Sequence, residues 1–508
     1  MFPCSNRGYT SSFFHRATFN RKYASAFLPV LLFLITIPSR LNAQTVTGGI
    51  VGTTTDPSGA VIPNATIVVT DLSKGTSQTV QSNATGNYSV YRLIPDSYSV
   101  KGSVTGFTPA EVQNVTVYAG SSPQVNLVFQ VAGSSQTVTV TSAEPPLQSS
   151  SADVSTTFSS QQLQNLPNLD RNFSSFSLLT PGVQRASFAT APTENPQGAQ
   201  GVEVNGSNYG SLGYYLDGTD DREPIDGIIV INPTLDSLSE SKVDTENFPA
   251  EFGGAMAGNV SAQTKSGSND LHGDVYLFRR SGALEARDPF TQFQPNPVTG
   301  QFIPPSLYNL FGGSVGGPIK KDKAFFFGDY QGTRQKVGTS LQENVPTALV
   351  RSTCLSASSA VCNLSQYGGS ATTPNTIVTP QGRALLSALP APNANGTSAT
   401  NNYVVSGNGN NDGDEADIRL DDQTTRDMHT FARYDYARFT LLGEPVFGAA
   451  GGTGFGLGNT TGTDTVQNQS AAAGFDYAIS PSLLTDFRFG FLDYHVAENK
   501  IGNYSARS

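Results

Sequence analysis

One short segment of this chain has the letter pattern of a hydrolase nucleophile. Residues 312–316 have the sequence Gly-Gly-Ser-Val-Gly, which fits the elbow that exposes a nucleophilic serine, here Ser314. That chemistry needs a strand-to-helix turn at the serine and a histidine and an acid later in the chain. Here a Gly-Pro pair and a hairpin-like turn follow, within residues 317–323. We therefore predict that Ser314 lies in a glycine-rich strand and is not catalytic.

The four histidines offer acid–base and metal chemistry but do not group in the sequence. His15 lies near the N-terminus, and the other three, His272, His429 and His495, fall in separate predicted strands. A metal site needs several ligands that converge at short spacing. We therefore expect His272, His429 and His495 to occupy polar positions on the inner side or at the rim of a barrel, and not to form a metal cluster.

A short acidic segment offers oxygen ligands. Its members are Asp412, Asp414, Glu415 and Asp417. Such carboxylates suit Ca²⁺, but a solvated loop that leads into a strand is the interpretation we favour. Residues 451–456 resemble a phosphate-binding loop in composition only, because the Lys-Ser/Thr ending and the following helix are missing. The sequence therefore predicts no catalytic residue, no metal site and no cofactor.

The composition favours short strands joined by turns. Gly (51) and Pro (30) are frequent, Trp is absent, and only 14% of residues are charged. The net charge of −10 repels phosphate backbones, so we exclude nucleic-acid binding. No run of eighteen apolar residues occurs, which argues against a membrane-spanning helix but not against membrane-spanning strands.

The N-terminus predicts export. Arg16, Arg21 and Lys22 precede an apolar run over residues 24–37, and a small residue follows at Ala43. A basic region, an apolar core and a small residue at the cleavage point make a secretory signal peptide. We predict this signal over residues 1–43, with an N-terminal membrane anchor as the alternative.

Export bears on the three cysteines. Cys4 precedes the apolar core and leaves with the signal. Cys354 and Cys362 remain, and an even pair in an exported protein favours a small loop disulfide between them. Two free thiols are the alternative, while a metal site lacks a nearby histidine.

Residues 46–128 have the pattern of one small β-sandwich. Short alternating runs occur, for example, at residues 66–70 and 88–91. Turn residues separate them, among them Asp-Pro-Ser-Gly at 56–59 and Pro-Asp-Ser at 95–97. About eighty residues can bury a modest core of this kind.

This segment resembles the carboxypeptidase regulatory-like domain. The resemblance lies in Gly-Ile-Val-Gly at 49–52, the hairpin residues 56–65, and Thr-Gly-Asn-Tyr-Ser-Val at 85–90. Asp96 stands where that family usually has glycine after proline. A turn also accepts aspartate at this position. The family module is a non-catalytic sandwich, sometimes grouped with carbohydrate-binding-like folds, so the resemblance implies no peptidase activity.

Residues 129–150 form a Ser/Thr-rich linker that ends in Glu-Pro-Pro. Within it, one β-branched segment resembles a TonB box: Gln136, Thr137, Val138, Thr139, Val140 and Thr141. Such a segment offers its backbone to the edge of a partner's sheet. The resemblance implies that these six residues contact a TonB-type energy-coupling protein, and an ordinary last strand or linker is the alternative.

Residues 151–267 resemble the plug domain of TonB-dependent outer-membrane receptors. The matching pieces include Leu-Pro-Asn-Leu-Asp-Arg-Asn-Phe at 166–173, Leu-Thr-Pro-Gly-Val at 179–183, Tyr-Tyr-Leu-Asp-Gly at 214–218 and Asn-Phe-Pro-Ala-Glu-Phe-Gly at 247–253. The Oar-like branch of these transporters carries this order with the regulatory-like sandwich in front. The resemblance implies an α+β plug that fills a barrel.

Residues 268–508 carry the strand pattern of an outer-membrane barrel. We predict seven strands, at 270–280, 307–319, 324–336, 412–422, 428–440, 467–479 and 482–496. Long connections, including 281–306 and 337–411, alternate with short turns, which is typical of such barrels. Apolar and polar residues alternate, as over 416–421, which directs one row to lipid and one to the lumen. A soluble sandwich with one wet face is the alternative.

The sequence as a whole predicts an all-β dominated fold: a small β-sandwich, then an α+β plug, then the first strands of an antiparallel transmembrane β-barrel. A plug-filled barrel of this family has about 22 strands. Because seven strands cannot close around a plug, we expect the N-terminal part of a longer receptor.

The function implied by the resemblance is energised uptake. We expect an outer-membrane receptor, with its plug and sandwich on the periplasmic side, for a large or scarce ligand such as a siderophore or an oligosaccharide. Its expected partners are a TonB-type protein, outer-membrane lipid and that ligand, without a cofactor. The alternative is a surface adhesion or carbohydrate-binding protein that uses the sandwich. Deleting residues 46–128 would separate the two, because only the second hypothesis then loses its function.

Overall fold

The fold is known from a computed structural model. It describes residues 47–131, 138–141, 152–168, 171–186, 195–196, 201–248, 252–295, 300–356, 358–394, 397–425, 428–480 and 483–499. The predicted signal peptide (1–43) and two TonB-box residues, Gln136 and Thr137, lie outside these ranges. Strands dominate the described chain, so the predicted fold class is confirmed. No helix in these ranges has the length and apolar character to cross a membrane.

The N-terminal part is a sandwich of two sheets. Its strands are β1 (Gly48–Thr55), β2 (Thr66–Asp71), β3 (Ser77–Gln81), β4 (Asn87–Leu93), β5 (Asp96–Ser103), β6 (Ala110–Val117), β7 (Leu127–Val128) and β8 (Val138–Thr141). Among the described residues the sheet orders are β4-β1-β7 and β3-β2-β5-β6-β8. Alternate residues point inward, so Ile50, Ile67 and Phe129 are fully buried in a shared core.

The plug is built on a mixed sheet. Its elements are β9 (Val154–Ser159), α1 (Ser160–Asn165), β10 (Val183–Arg185), β11 (Val202–Val204), β12 (Leu212–Leu216), β13 (Thr219–Asp220), β14 (Leu238–Glu246) and β15 (Gly258–Thr264). Two 3₁₀ helices, Phe173–Leu179 and Tyr209–Ser211, complete it. The described sheet has the order β13-β12-β15-β14-β9. A capping box between Ser159 and Gln162 starts α1.

The C-terminal part is one antiparallel sheet, here called the wall. Its strands are β16 (His272–Ser281), β17 (Leu307–Lys320), β18 (Ala324–Glu343), β21 (Tyr403–Thr425), β22 (Met428–Gly443), β23 (Gly462–Ser480) and β24 (Leu483–Asn499). These described strands pair in chain order. All seven predicted strands are therefore present. Long connections lie at one end of the wall, the long-loop end, and tight turns lie at the other, the short-turn end.

The connections of the wall contain small elements of their own. Between β18 and β21 lie α2 (Ala348–Cys354), β19 (Val361–Cys362), β20 (Thr373–Pro374) and α3 (Pro380–Ala388). Short 3₁₀ helices occur at Gly282–Leu284, Ser365–Tyr367, Asn375–Ile377, Gly448–Ala450 and Leu457–Asn459.

One predicted loop is shorter than expected. The prediction placed a loop over 337–411, but β18 and β21 continue in register as far as the pair Glu343 and Tyr403. The connection therefore spans only residues 344–402. The buried residues at this end of β21 include Ser406 and Asn411, which are 5% and 2% exposed. Because the inward row is then polar as well, the apolar–polar alternation that identifies a strand is missing from the sequence.

The two faces of the wall differ as predicted. In β21, Ile418 and Leu420 are 49% and 44% exposed, whereas Arg419 between them is 7% exposed. In β24, Phe487, Phe489 and Phe491 are each more than half exposed. The outer face is thus apolar here, and the inner face, which packs on the plug, carries charged residues beside an apolar patch at Phe439, Leu441 and Val466. This division suits hydrocarbon on one side and a filled lumen on the other.

The sandwich core yields a stability prediction. Replacing Ile67, which is fully buried, with alanine removes packed methyl groups and leaves a cavity, at a cost of about 2–5 kcal/mol in unfolding free energy. Hydrogen exchange of the β2 and β5 amides in the intact chain measures this loss. The matched control is Val128→Ala, because Val128 is 46% exposed and should cost below about 0.5 kcal/mol. Equal effects at both positions would contradict the assigned core.

Candidate functional site

The plug meets the wall through a buried aspartate. Asp217 follows β12 in a tight turn, with a positive φ of 49° and Gly218 at 79°. Its side chain is 2% exposed and accepts hydrogen bonds from the backbone N–H and hydroxyl of Thr264, at 2.9 and 2.7 Å. From the wall, Arg419 Nη1 reaches Asp217 Oδ1 at 2.9 Å and Arg433 Nε reaches Oδ2 at 3.4 Å. One plug carboxylate is thus held by two cations of the wall.

The wall continues this contact as a chain of ion pairs. Arg419 binds the Asp421 carboxylate with two nitrogens, at 2.9 and 3.0 Å. His429 lies between Asp421 and Asp476, at 3.1 and 3.3 Å. Arg488 reaches Asp476 at 2.8 Å. The anchor network is defined as Asp217, Arg419, Asp421, His429, Arg433, Asp476 and Arg488.

Polar contacts continue away from the anchor network. Thr234 of the plug donates to Asp329 on β18 at 2.7 Å, and Asn468 on β23 donates to the Val230 carbonyl at 2.8 Å. Buried charges gain little net stability when they pair, but a pair that loses one partner leaves the other uncompensated. The interface therefore fixes the position of the plug more than it adds to overall stability.

A cleft opens between plug and wall toward the long-loop end. Its volume is about 250 Å³, and six of its side chains are amides: Asn172, Asn195, Asn232, Gln331, Gln335 and Asn411. The three plug asparagines form a ladder. Asn172 donates to Asn232 at 3.0 Å, and Asn232 donates to Asn195 at 3.1 Å. In the described part of the chain, no donor reaches the buried Asn411 Oδ1.

The two arginines that line this cleft already interact with other side chains of the protein. Arg171 pairs with Asp236 at 2.5 Å and stacks over the Phe278 ring at 4.5 Å. Arg280 lies over the Tyr308 ring at 5.1 Å. Amides both donate and accept hydrogen bonds. The cleft therefore suits hydroxyl or amide groups of a ligand.

The sandwich docks at the short-turn end. The Asn269 N–H donates to the Ser73 carbonyl at 3.0 Å, and its side-chain amide donates to Lys74 O and to Asp322 Oδ1, both at 2.7 Å. Gly75, with φ of 70°, lies against Asp322, and a Cβ there would come within 2.5 Å of that carboxylate. A side chain at this position would have to displace the Asp322 carboxylate, and the positive φ itself favours glycine.

Charges at this junction are buried. The Lys74 ammonium binds Asp96 at 2.8 Å. Burial lowers its pKa, but the carboxylates of Asp71 and Asp96 outweigh burial, so the pKa of Lys74 is raised and the group stays charged. A cavity of about 570 Å³ lies between sandwich, plug and wall, with Lys74, Asp217 and Arg488 in its lining.

Glu240 joins the sandwich to the plug. Its Oε1 accepts a hydrogen bond from the Ala119 N–H at 2.8 Å, and its side chain is 2% exposed. Burial raises the pKa of Glu240 to about 7, although the Ala119 N–H and Lys242 act in the opposite direction. The protonation of this carboxyl therefore changes near neutral pH.

The structure places part of the predicted TonB-box segment in the sandwich. Val138 to Thr141 form β8, which pairs in parallel with residues 110–113 of β6. Cys354 and Cys362 form a disulfide, and both are buried with Val350 in a small core within the long connection.

The motifs that resemble catalytic or metal-binding sites have ordinary structural explanations. Ser314 lies in the middle of β17, which continues to Lys320, and its hydroxyl donates to Asp274. Residues 312–316 thus lack the strand-to-helix turn of a nucleophile elbow. Among the described residues, no group of His, Cys, Asp and Glu side chains is arranged to hold a metal ion.

The acidic segment is not a loop. Asp412, Asp414, Glu415 and Asp417 all lie within β21, which confirms the strand predicted at 412–422 and shows that the solvated loop is wrong. Strand alternation directs Asp412 and Asp414 to the outer face, where Asp414 pairs with Arg334 at 2.8 Å. Glu415 and Asp417 point to the plug side, so the four carboxylates do not converge.

Comparisons with known proteins agree with this architecture. The family described as outer membrane beta barrel domain matches residues 263–507, and the carboxypeptidase regulatory-like domain matches residues 49–130. The TonB-dependent transporter Oar of Myxococcus xanthus is 27% identical over 293 residues, 55% of this chain and 26% of Oar. The chain thus spans about a quarter of the length of this relative.

Two solved structures are also similar. The outer membrane transporter YddB from Escherichia coli has a TM-score of 0.42 and 11% identity, over 68% of this chain and 40% of that one. The siderophore receptor PirA from Acinetobacter baumannii has a TM-score of 0.39 and 14% identity, over 66% and 39%.

The wall and the two domain matches define the class. This is a protein of the outer membrane, with a β-barrel domain behind a carboxypeptidase regulatory-like domain. Within that class, the chain is a homologue of the TonB-dependent transporter Oar.

The anchor network yields a prediction. Asp217→Asn leaves Arg419 and Arg433 buried without their plug counter-charge, which should cost about 3–5 kcal/mol. The midpoint of heat-induced unfolding of the purified chain in detergent should fall accordingly. Asp220→Asn is the control, because its side chain is 55% exposed in its pair with Arg222 and such pairs are worth at most about 1 kcal/mol. An unchanged midpoint for Asp217→Asn would show that the anchor network does not hold the plug against the wall.

Glu240 yields a pH prediction. Its pKa is about 7 in the folded chain against an ordinary 4.5. Between these two pH values the folded state therefore binds more protons than the unfolded state. Its contribution to stability is therefore present at low pH and is lost as pH rises from about 4.5 to 7, by up to about 3 kcal/mol. Calorimetry at pH 5 and pH 8 should show this decline, and Glu240→Gln should flatten it. A parallel decline in both proteins would assign it to other groups.

Proposed function

We propose that this outer-membrane protein acts in energised uptake as a TonB-dependent receptor. The plug sits against the inner face of the wall and blocks the lumen until a ligand binds. The observation that carries the proposal is the anchor network, in which the plug is held by ion pairs and hydrogen bonds. Water can replace such contacts, whereas a continuous apolar interface would resist separation.

The proposal assigns a direction to the molecule. Long loops are extracellular and short turns periplasmic in barrels of this type, so the amide-lined cleft faces outside and the sandwich lies on the periplasmic side. A ligand with hydroxyl or amide groups enters the cleft and contacts plug and wall together. Siderophores and oligosaccharides both offer such groups.

Uptake then requires work on the plug. A TonB-type protein binds residues 136–141 by strand addition and pulls on the chain that leads into β9. Lys242 of β14 holds this entry point through Asp153 at 2.7 Å. Displacing the plug exchanges the pairs of Asp217 with Arg419 and Arg433 for water. The receptor contributes differential binding and a plug with two positions, not bond chemistry.

The TonB contact can be tested with proline. Val138→Pro or Val140→Pro removes a backbone N–H and restricts the strand, so uptake and binding of the periplasmic domain of TonB should be abolished while the ligand still binds at the cell surface. Val138→Ala and Val140→Ala keep the N–H and should transport normally. Undiminished uptake by the proline variants would remove residues 136–141 from this role.

A further inference from the structure

The sandwich forms one side of a chamber at the short-turn end of the wall. The plug and the inner face of the wall form the other sides, and the volume is about 570 Å³. Lys74, Asp96 and Tyr118 of the sandwich are among the lining residues. A solute that passed between plug and wall toward the short turns would enter this chamber, so the sandwich stands in its path.

The same chamber reaches the anchor network. Five members of the network line it: Asp217, Arg419, His429, Asp476 and Arg488. Their side chains are at most 12% exposed. Ion pairs are strong where water is excluded and weak where water enters. Because the sandwich closes one side of the chamber, it helps to keep water away from these pairs.

The sandwich is held over the chamber at two separate places. On the plug, Glu240 accepts a hydrogen bond from the Ala119 N–H at 2.8 Å. On the wall, Asn269 donates to the carbonyls of Ser73 and Lys74 at 3.0 and 2.7 Å. Water can replace hydrogen bonds of this kind, and the core of the sandwich is complete without them. The domain can therefore leave the junction as a folded unit.

We infer that the sandwich is a detachable cap on the short-turn end, and that it leaves before the plug moves. This inference rests on the proposed function, because a cap matters only if the plug is displaced. While it is docked, the cap blocks the exit from the lumen and shields the anchor network. Once it has left, water enters the chamber and competes for the charges around Asp217. Uptake then needs two openings in a fixed order, first the sandwich and then the plug.

A charge on the cap supports this order. The buried Lys74 ammonium interacts electrostatically with Asp421 of the anchor network. Asp421 is the carboxylate that Arg419 binds with two nitrogens. Departure of the sandwich removes the Lys74 cation from this carboxylate. The anchor network thus loses a favourable charge as well as its shield from water when the cap leaves.

The first experiment opens the cap and measures access to the chamber. Asn269→Asp replaces the amide that donates to Lys74 O and Asp322 Oδ1, both at 2.7 Å, with a carboxylate that repels both oxygens. Gln263→Cys, at a position that lines the chamber and is 7% exposed, reports access through its rate of reaction with a maleimide. Two hydrogen bonds are lost, each worth about a factor of five in an equilibrium, so the rate should rise at least about tenfold.

Asn126→Asp is the matched control for this experiment. It adds the same charge to the sandwich, but its exposed side chain keeps the oxygen that accepts from the Thr53 N–H at 3.1 Å. The reaction rate of Gln263→Cys should stay unchanged in this background, and the chain without Gln263→Cys gives the background reaction. Equal rates with and without Asn269→Asp would overturn the inference, because the contacts of Asn269 would then not hold a cap.

The second experiment closes the cap. A Cβ on Gly75 would lie 3.4 Å from Asp322 Cγ, so Gly75→Cys with Asp322→Cys should form a disulfide between sandwich and wall. The Thr264 N–H donates to Asp217 at 2.9 Å, so its hydrogen exchange reports opening of the anchor network. Oxidation should slow this exchange at least about fivefold, because openings that begin with departure of the cap are suppressed, and reductant should restore it. The unmodified chain with reductant controls for the native disulfide.

Each contrary result contradicts a different statement. A lock that does not form would overturn the contact between sandwich and wall, and a lock that forms without slowing the exchange would overturn control of the anchor network by the cap. Uptake should stop on oxidation of the lock and return with reductant. Uptake that continues through the oxidised lock would overturn the cap and leave the receptor role intact. Absence of uptake by the locked, reduced and unmodified chains alike would overturn the proposed function itself.

Discussion

The placement of the plug depends on one carboxylate, Asp217, buried between two arginines of the wall. Removed from water, it gains its stabilisation only while Arg419 and Arg433 stay close to it, at 2.9 and 3.4 Å. Thr264 holds the same carboxylate from β15, so the turn after β12 cannot shift without breaking contacts on both sides. Geometry at this point therefore fixes the plug against the wall, although the net stability gained from such pairs is small.

Around this point the interface divides into regions of different character. The plug shares an apolar cluster with the wall at Phe439, Leu441 and Val466. The anchor network and the Thr234–Asp329 contact are polar. Apolar packing resists sliding without specifying direction, while ion pairs specify one position and can be exchanged for water. In the proposed function the plug is first held and later moved, which needs this second kind of contact.

The sandwich contacts both the plug and the wall. Its contacts with the plug and the wall are few and polar, at Glu240, Asn269 and Asp322. Its own core, around Ile50 and Ile67, is complete without them. Because the domain has a core of its own, it can keep its fold when these few hydrogen bonds form or break. Because burial raises the pKa of Glu240 to about 7, one of these contacts also changes near neutral pH.

The sequence by itself determined the order and type of the structural units. Strand periodicity is local, so alternation such as Ile418-Arg419-Leu420 identified the wall strands and their lipid-facing side, and turn residues identified the sandwich. The same locality explains the errors. The end of β21 buries polar residues such as Ser406 and Asn411, so its inward and outward rows are both polar and the alternating signal is lost.

Only the tertiary structure decided which charges meet. Asp217 and Arg419 are separated by about two hundred residues, and nothing near either position indicates its partner. Residues 138–141 had the composition of a strand, but their place beside β6 depends on the folded sandwich. Local pattern is set by neighbours along the chain, whereas ion pairs, clefts and sheet edges arise from distant segments brought together by packing. That is why the fold class could be predicted from the residues and the anchor network could not.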